Sequence, residues 1–242
     1  MKKIIIASLC AMALSAVPAQ ANPQTEEVSE TVVVVEQQKD NSFMNGFFVA
    51  VGAGGQLLFA DHDVRASFGQ RLAPAIDVYI GKWFNPVIGL RLGVTGFNVK
   101  GATKWDGDPN YDYAHGTGKP VQGGGAPHWL QTQSFNYTNT HLDFMVNFSN
   151  LACRYCGPHV WNAIPYVGIG WVRSWSNNGA YHPTHNDIGV NIGFLNAFRI
   201  TDHLHINLDI HAMATRDKFD GEEGGSKWDG ILGVTAGVSW TF

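Results

Sequence analysis

The stretch that most constrains this chain is its last one, Leu232 to Phe242. Leu232, Val234, Ala236, Val238, Trp240 and Phe242 occupy the even positions, and Gly233, Thr235, Gly237, Ser239 and Thr241 the odd ones. Side chains alternate faces along a strand, so this is a strand with one wholly apolar face and one small, polar face. It is roughly the length that crosses a bilayer at a tilt. Its aromatic residues fall at the end, where a membrane strand passes from hydrocarbon to water.

Seven upstream segments repeat the pattern. Phe47 to Phe59 puts Phe47, Val49, Val51, Ala53, Leu57 and Phe59 on one face, with Ala50, Gly52, Gly54 and Gln56 on the other. Arg71 to Trp83 sets Leu72, Ile76, Val78 and Ile80 against Asp77 and Tyr79, with Pro74 marking a bulge or a rim position. Val87 to Phe97 sets Ile88, Leu90, Leu92 and Val94 against Arg91 and Thr95. Thr138 to Phe148 sets Leu142, Phe144, Val146 and Phe148 against His141, Asp143, Met145 and Asn147. Ile164 to Arg173, Asp187 to Ile200 and Leu204 to Ala214 complete the set, the last with His205, Asn207, Asp209 and His211 on its polar face.

The start of the chain decides which face meets what. Met1-Lys2-Lys3, the apolar run Ile4 to Val17 and the small-residue site Ala19-Gln20-Ala21 form a secretory leader, 1–21, cleaved before Asn22. Cys10 lies inside the apolar run, preceded by Leu9, which does not fit a lipoprotein site. The leader carries two lysines and no acid, so cleavage makes the chain more acidic than its formal −4, and nothing suggests nucleic acid as a partner. Residues 22–45 are polar and acidic around Val32 to Val35 and read as a flexible periplasmic lead-in. No later stretch approaches the ~18 apolar residues of a membrane helix. An exported chain that still spans a bilayer must close its strands into a barrel, because every backbone polar group needs a partner in lipid. Residues 46–242 are then an antiparallel, eight-stranded, up-and-down transmembrane β-barrel, all-β, with apolar side chains outside and polar ones inside. A soluble lipocalin-like barrel reverses that arrangement; the export signal and the terminal aromatic favour lipid on the outside.

The connections also alternate. Asn85-Pro86 and Thr201-Asp202 are short, whereas Ala60 to Gln70, Lys100 to Tyr137, Ser174 to Asn186 and Thr215 to Trp228 are long. Ser149 to Ala163 is long on the side where a short turn is expected. Phe47, Trp83, Phe148, Phe198 and Trp240 gather at one rim and Phe59, Phe97, Trp171 and Trp228 at the other, as two interfacial girdles.

Three features carry a resemblance: the ending Trp240-Thr241-Phe242, His141-Leu142-Asp143-Phe144 followed by Asn147, and Pro165-Tyr166-Val167-Gly168-Ile169-Gly170-Trp171. With them, Phe47 to Phe242 resembles the eight-stranded barrel of the outer membrane protein A family, in the form found in Bacteroidetes-type Gram-negative bacteria. The resemblance implies an outer-membrane location, recognition of Trp240 and Phe242 by the barrel-assembly machinery, and a structural and surface-interaction role. Lipid, lipopolysaccharide and extracellular protein or glycan are the implied partners. Many relatives append a peptidoglycan-binding domain; this sequence stops at the barrel, so a cell-wall tether is not carried over.

An eight-stranded barrel is just wide enough for side chains to fill it. Asp77, Tyr79, Arg91, His141, Asp143, His205, Asp209 and His211 should therefore form an internal polar network built on Arg91, since buried charges must pair. Two other functions remain open: a narrow porin-like channel, and a membrane-embedded lipid- or peptide-modifying enzyme built on His–Asp pairs, with Ser134 or Ser176 near the outer rim. His182-Pro183-Thr184-His185 has a workable two-ligand spacing, but a solvated loop is the expectation, with no resident metal or cofactor. Gly123-Gly124-Gly125 lacks a phosphate-loop lysine. Cys153 and Cys156 have redox spacing in an exported chain without a thioredoxin-like context, which favours a structural disulfide.

Overall fold

The structure is a computed structural model that describes residues 45–104, 113–122, 126–153, 159–177, 181–222 and 227–242. The leader, the lead-in with its valine run, the Gly123-Gly124-Gly125 segment and Cys156 lie outside the described residues. Eight strands form one closed barrel in sequence order: β1 (Phe47–Phe59), β2 (Ala73–Trp83), β3 (Ile88–Thr103), β4 (Gln131–Val146), β5 (Trp161–Ser176), β6 (His185–Arg199), β7 (Leu204–Arg216) and β8 (Trp228–Thr241). Every neighbouring pair is antiparallel, and β1 closes on β8 from Phe48↔Thr241 to Phe59↔Gly230. Closure leaves no sheet edge, which is what allows backbone to cross lipid without orphaned donors. Among the described residues no helix is long and apolar enough to cross a membrane; the strands do so.

The period-two pattern points outward as read. Val238, Leu142 and Val78 are about half exposed, while Arg91 and Asp143 are 3% and 0% exposed. Such an exposed apolar wall, unbroken around a cylinder, is incompatible with water and suits hydrocarbon.

The strand ends differ from the sequence expectation in instructive ways. β2 starts at Ala73; Arg71 instead ends a single helical turn, α1 (Phe68–Arg71), where its Nη2 donates to the Leu58 carbonyl 2.5 Å away and its guanidinium lies over Phe59. Phe148 starts a short helix, α2 (Phe148–Ala152), because Asn147 accepts from the Asn150 N–H and caps it. β5 begins at Trp161, so the anomalous short-side connection is 147–160. The largest change is at β3 and β4, which remain paired as far as Thr103↔Gln131. The polar, Gly- and Thr-rich flanks of the long connection are a hairpin standing beyond the apolar wall, and the loop proper is 104–130.

Of two aromatic side chains with unexpected geometry, Trp83 departs from the girdle pattern and Phe97 keeps it by an unusual route. Trp83 packs over Phe48 with ring centroids 6.1 Å apart and faces the lumen mouth, as its parity with Asp77 and Tyr79 requires. Phe97 shares the inward parity of Arg91 and Thr95 yet is exposed on the wall, with φ at +119°. It sits directly opposite Tyr137, which already fills the lumen at that level. At the same level Gln56 Nε2 donates to Pro74 O at 2.9 Å and Asn98 O at 3.0 Å.

The lumen is layered rather than uniformly polar. Phe48, Met145, Ile164, Leu195 and Ala197 form an apolar layer at the short-turn end. Leu58, Val99, Phe135, Val172, Met213 and Ile231 form another toward the long loops. The charged residues lie between them. If the wall faces lipid, Leu92→Arg should cost about 2–4 kcal/mol in urea unfolding from vesicles, as a charge does near the bilayer midplane. The folded protein should also migrate differently on gels before and after boiling, and both effects are absent if the wall is a soluble surface.

Candidate functional site

The central layer is built around Arg91 on β3. Its Nε donates to Asp143 Oδ2 on the adjacent strand β4 at 2.6 Å, and its Nη1 donates to Asp209 Oδ2 on β7 at 3.0 Å. Strands β3 and β7 are four apart in a ring of eight, so the guanidinium is a strut across the full width of the lumen. Tyr166 and Tyr79 sandwich it, with ring centroids 3.9 and 4.7 Å from its central carbon. Desolvated cation–π contacts of this kind are each worth up to about 2 kcal/mol.

The second tier orients those partners. Tyr166 Oη donates to Asp209 Oδ1 at 2.8 Å, and Asn207 Nδ2 donates to Tyr79 Oη at 3.1 Å. His141 Nδ1 lies 2.8 Å from Asp143 Oδ2 and its Nε2 lies 3.1 Å from Thr95 Oγ1. Asp77 does not reach Arg91; Thr235 Oγ1 donates to its Oδ2 at 2.7 Å. His211 is half-enclosed beside Gly233 and hydrogen-bonds none of the other network members. His205 stands apart, at the short-turn mouth with Arg199 and Ser239, because its position on β7 lies below the Tyr79–Asn207 level. Of the eight residues expected in the network, Tyr79, Arg91, His141, Asp143 and Asp209 come together, joined by Tyr166, Thr95 and Asn207, while Asp77, His205 and His211 stand outside its hydrogen bonds.

Several ties leap a strand. Asp77 on β2 meets Thr235 on β8 across Gly52 of β1; Asn139 on β4 meets Asn191 on β6 across Gly170 of β5; Tyr166 meets Asp209 across Gly193 of β6. A Cβ at Gly193 would collide with the Tyr166 hydroxyl, and one at Gly170 with the Asn139 amide. The small residues of the inner face are the gaps through which the long ones reach.

Little space remains. The cavity beside the network holds about 20 Å³, room for one water at most. The short-turn mouth is a wider funnel of about 440 Å³ that ends on Phe48, Tyr79 and Met145. At the long-loop end Phe219 packs edge-on to Phe135 and Tyr137 at 5.4 and 5.6 Å, and His182 stacks on Phe135 at 4.1 Å. The Asp63 carboxylate accepts the Ala60 and Ala102 N–H groups at 2.9 and 2.7 Å, and Glu222 accepts from Thr103 and the Lys104 N–H. These contacts fasten residues 60–72 and 217–222 over the barrel end.

Other candidates separate. Ser134 is tied to Asn98 and Asn177, and Ser176 donates to the His182 carbonyl, so neither serine faces His141. His182 and His185 meet edge to face with centroids 6.2 Å apart, a packing contact. Among the described residues no group of three or more His, Cys, Asp or Glu side chains is placed to hold a metal ion. Cys153 is disulfide-bonded. Trp240 is exposed on the wall and stacks on His203, and the Phe242 N–H donates to the Phe47 carbonyl at 2.8 Å.

A closed eight-strand wall of apolar side chains around a paired ionic layer defines an eight-stranded β-barrel of the outer-membrane type. The chain is 28% identical over 245 residues to outer membrane protein 40 of Porphyromonas gingivalis (strain ATCC BAA-308 / W83), covering 98% of this chain and 57% of that one. The described chain thus spans little more than half the length of this curated relative. Among solved structures it superposes on Neisserial surface protein A with a TM-score of 0.50 at 12% identity, over 82% of this chain and 98% of the other. OprG from Pseudomonas aeruginosa is covered to 97%, with a TM-score of 0.44 at 8% identity. No family model matches.

Two measurements test the site. Arg91→Met leaves Asp143 and Asp209 buried without their cation and should lose about 3–5 kcal/mol. Adding Asp143→Asn and Asp209→Asn should recover most of the loss, because the penalty is the unpaired charge. In the loop cap, burial pushes the Asp63 carboxyl up to about 7 and pulls His182 down to about 4. Asp63 therefore stabilises the closed cap fully below its unfolded value of 3.8 and less as pH rises through 7; His182 does so above 6.5 and less as pH falls toward 4. Asp220 and Asp229, whose carboxyls burial also pushes up, act in the same sense as Asp63, so limited proteolysis of the cap should show protection falling more steeply between pH 4 and 6.5 in His182→Phe than in Asp63→Asn.

Proposed function

We propose that this protein is a non-conducting, non-catalytic outer-membrane barrel that contributes to envelope integrity and presents its four long loops to the outside. Short turns mark the periplasmic end and long loops the extracellular end in this class. The observation that carries the reading is the occluded lumen: the Arg91 layer spans it, with an apolar layer on either side. A hydrated ion has no path through a space of about 20 Å³.

The loops support a surface-interaction role. The β3–β4 hairpin projects beyond the apolar wall and carries the longest connection, and Trp129 and Tyr181 are exposed at that end. Aromatic side chains presented to solvent on a rigid scaffold suit contact with protein or glycan. Against an enzyme stands the burial of His141: its ring nitrogens are taken by Asp143 and the Thr95 hydroxyl, and this Asp–His–Thr set lies inside the filled lumen beside a cavity of about 20 Å³, with no room for a substrate. Exposed Trp240 and Phe242 on the closing strand suit recognition by assembly machinery.

Planar-bilayer recording from the pure protein should show no steady channel. Reproducible single-channel steps that vanish in a variant with a bulkier plug would replace this reading with the narrow-pore one.

A further inference from the structure

The two ends of the lumen are finished differently. At the long-loop end Phe219 and His182 pack over Phe135. At the short-turn end the strands enclose a funnel of about 440 Å³. That volume lies within the range of small-molecule pockets, about 300–1,000 Å³. The funnel has a floor. Phe48, Tyr79 and Met145 are buried there, and Phe48 packs on Tyr79 and Trp83 with ring centroids 6.2 and 6.1 Å apart. A molecule that enters leaves by the same mouth, so the space suits holding a ligand rather than passing it on.

The charge around this space is lopsided. Of the described residues that line the funnel, only Arg199 and Asp202 carry a fixed charge. Asp202 is 88% exposed, and its Oδ1 lies 3.5 Å from Arg199 Nη1, an exposed pair of the kind that contributes little. The Arg199 guanidinium makes no other side-chain hydrogen bond among the described residues. His159 and His205 line the same space, and the enclosed His159 Nε2 has no hydrogen-bond partner among the described residues. A chain with a formal charge of −4 thus presents basic side chains around this cavity.

Arginine's planar fork takes a carboxylate through two parallel hydrogen bonds. A phosphate dianion calls for a second fixed cation, which the described lining lacks. The rings of Phe48 and Trp83 suit an apolar tail that carries a ring of its own. We infer that the short-turn funnel binds a small aromatic monocarboxylate, its ring against Phe48 and Trp83 and its carboxylate on Arg199, with His159 and His205 beside it. This goes beyond the reading of the barrel as a sealed scaffold, and it does not depend on which side of the membrane the short turns face.

The test is calorimetric titration of the full chain folded in detergent micelles, with the heat of titrating empty micelles subtracted. The probes are 3-phenylpropionate, acetate as the same head without a ring, and 2-phenylethylamine as the same ring with the opposite charge. Only 3-phenylpropionate should give a saturable isotherm. Arg199→Gln should weaken it about tenfold or more, the scale of one lost charge-assisted contact. Ser239→Phe, which adds a ring inside the funnel, should abolish binding in protein that still shifts on boiling. Arg199 stands at the rim, so its variant decides the matter even where Ser239→Phe does not fold. A flat isotherm, equal binding of acetate or of the amine, or wild-type affinity in either folded variant overturns the site. Channel recording answers separately: steady conductance refutes the sealed lumen, and a flat isotherm refutes the ligand site.

Discussion

One guanidinium bridges opposite walls of this barrel, and much of the interior follows from it. A buried cation requires carboxylates, and the two nearest come from an adjacent strand and the opposite one. Those acids need further partners, supplied by His141 and Tyr166, and the guanidinium faces need aromatic rings, supplied by Tyr79 and Tyr166. Each demand is met within one layer, and glycine on intervening strands lets the partners reach each other. Buried ion pairs contribute modestly to net stability; what they contribute reliably is a high cost for any arrangement that separates them. Here that cost enforces one register across non-adjacent strands.

The outside of the barrel was legible in the sequence and the inside was only partly so. Lipid imposes one rule on every outward position, so alternation such as that of Val234, Ala236, Val238 and Trp240 survives unbroken. The lumen imposes a different rule at each level. Met145, read as inward, and Leu195 and Val172, which polarity alone does not mark, are apolar because the plug is apolar above and below its charges. Asp77 has the right parity for the Arg91 layer but binds Thr235, a choice made by side-chain length across Gly52. Phe97 stands in the girdle where its place at the strand end put it, although strict parity would turn it inward opposite Tyr137; nothing local in the sequence announces its positive φ. The hairpin extension of β3 and β4 was hidden for a related reason: away from lipid the apolar signal ends while backbone pairing continues.

The two ends of the barrel divide the work. The long-loop end is fastened by buried carboxylates and by Phe219 and His182 packed over Phe135, whereas the short-turn end opens into a funnel. Both halves rest on the same sealed middle. A filled middle gives the scaffold a rigid core, which is what the surface presentation proposed above needs.

The ties that skip over glycine positions have a kinetic consequence. Asp77 to Thr235 spans the β1–β8 seam, and the Arg91 strut exists only when the sheet is curled into a ring. A half-inserted, open sheet would keep the Arg91–Asp143 pair of adjacent strands but turn Asp77 and Asp209 toward acyl chains without the partners they have across the closed ring. Such states are too costly to populate, so membrane entry and ring closure must occur as one concerted event, and the finished wall cannot unzip sideways to admit or release cargo.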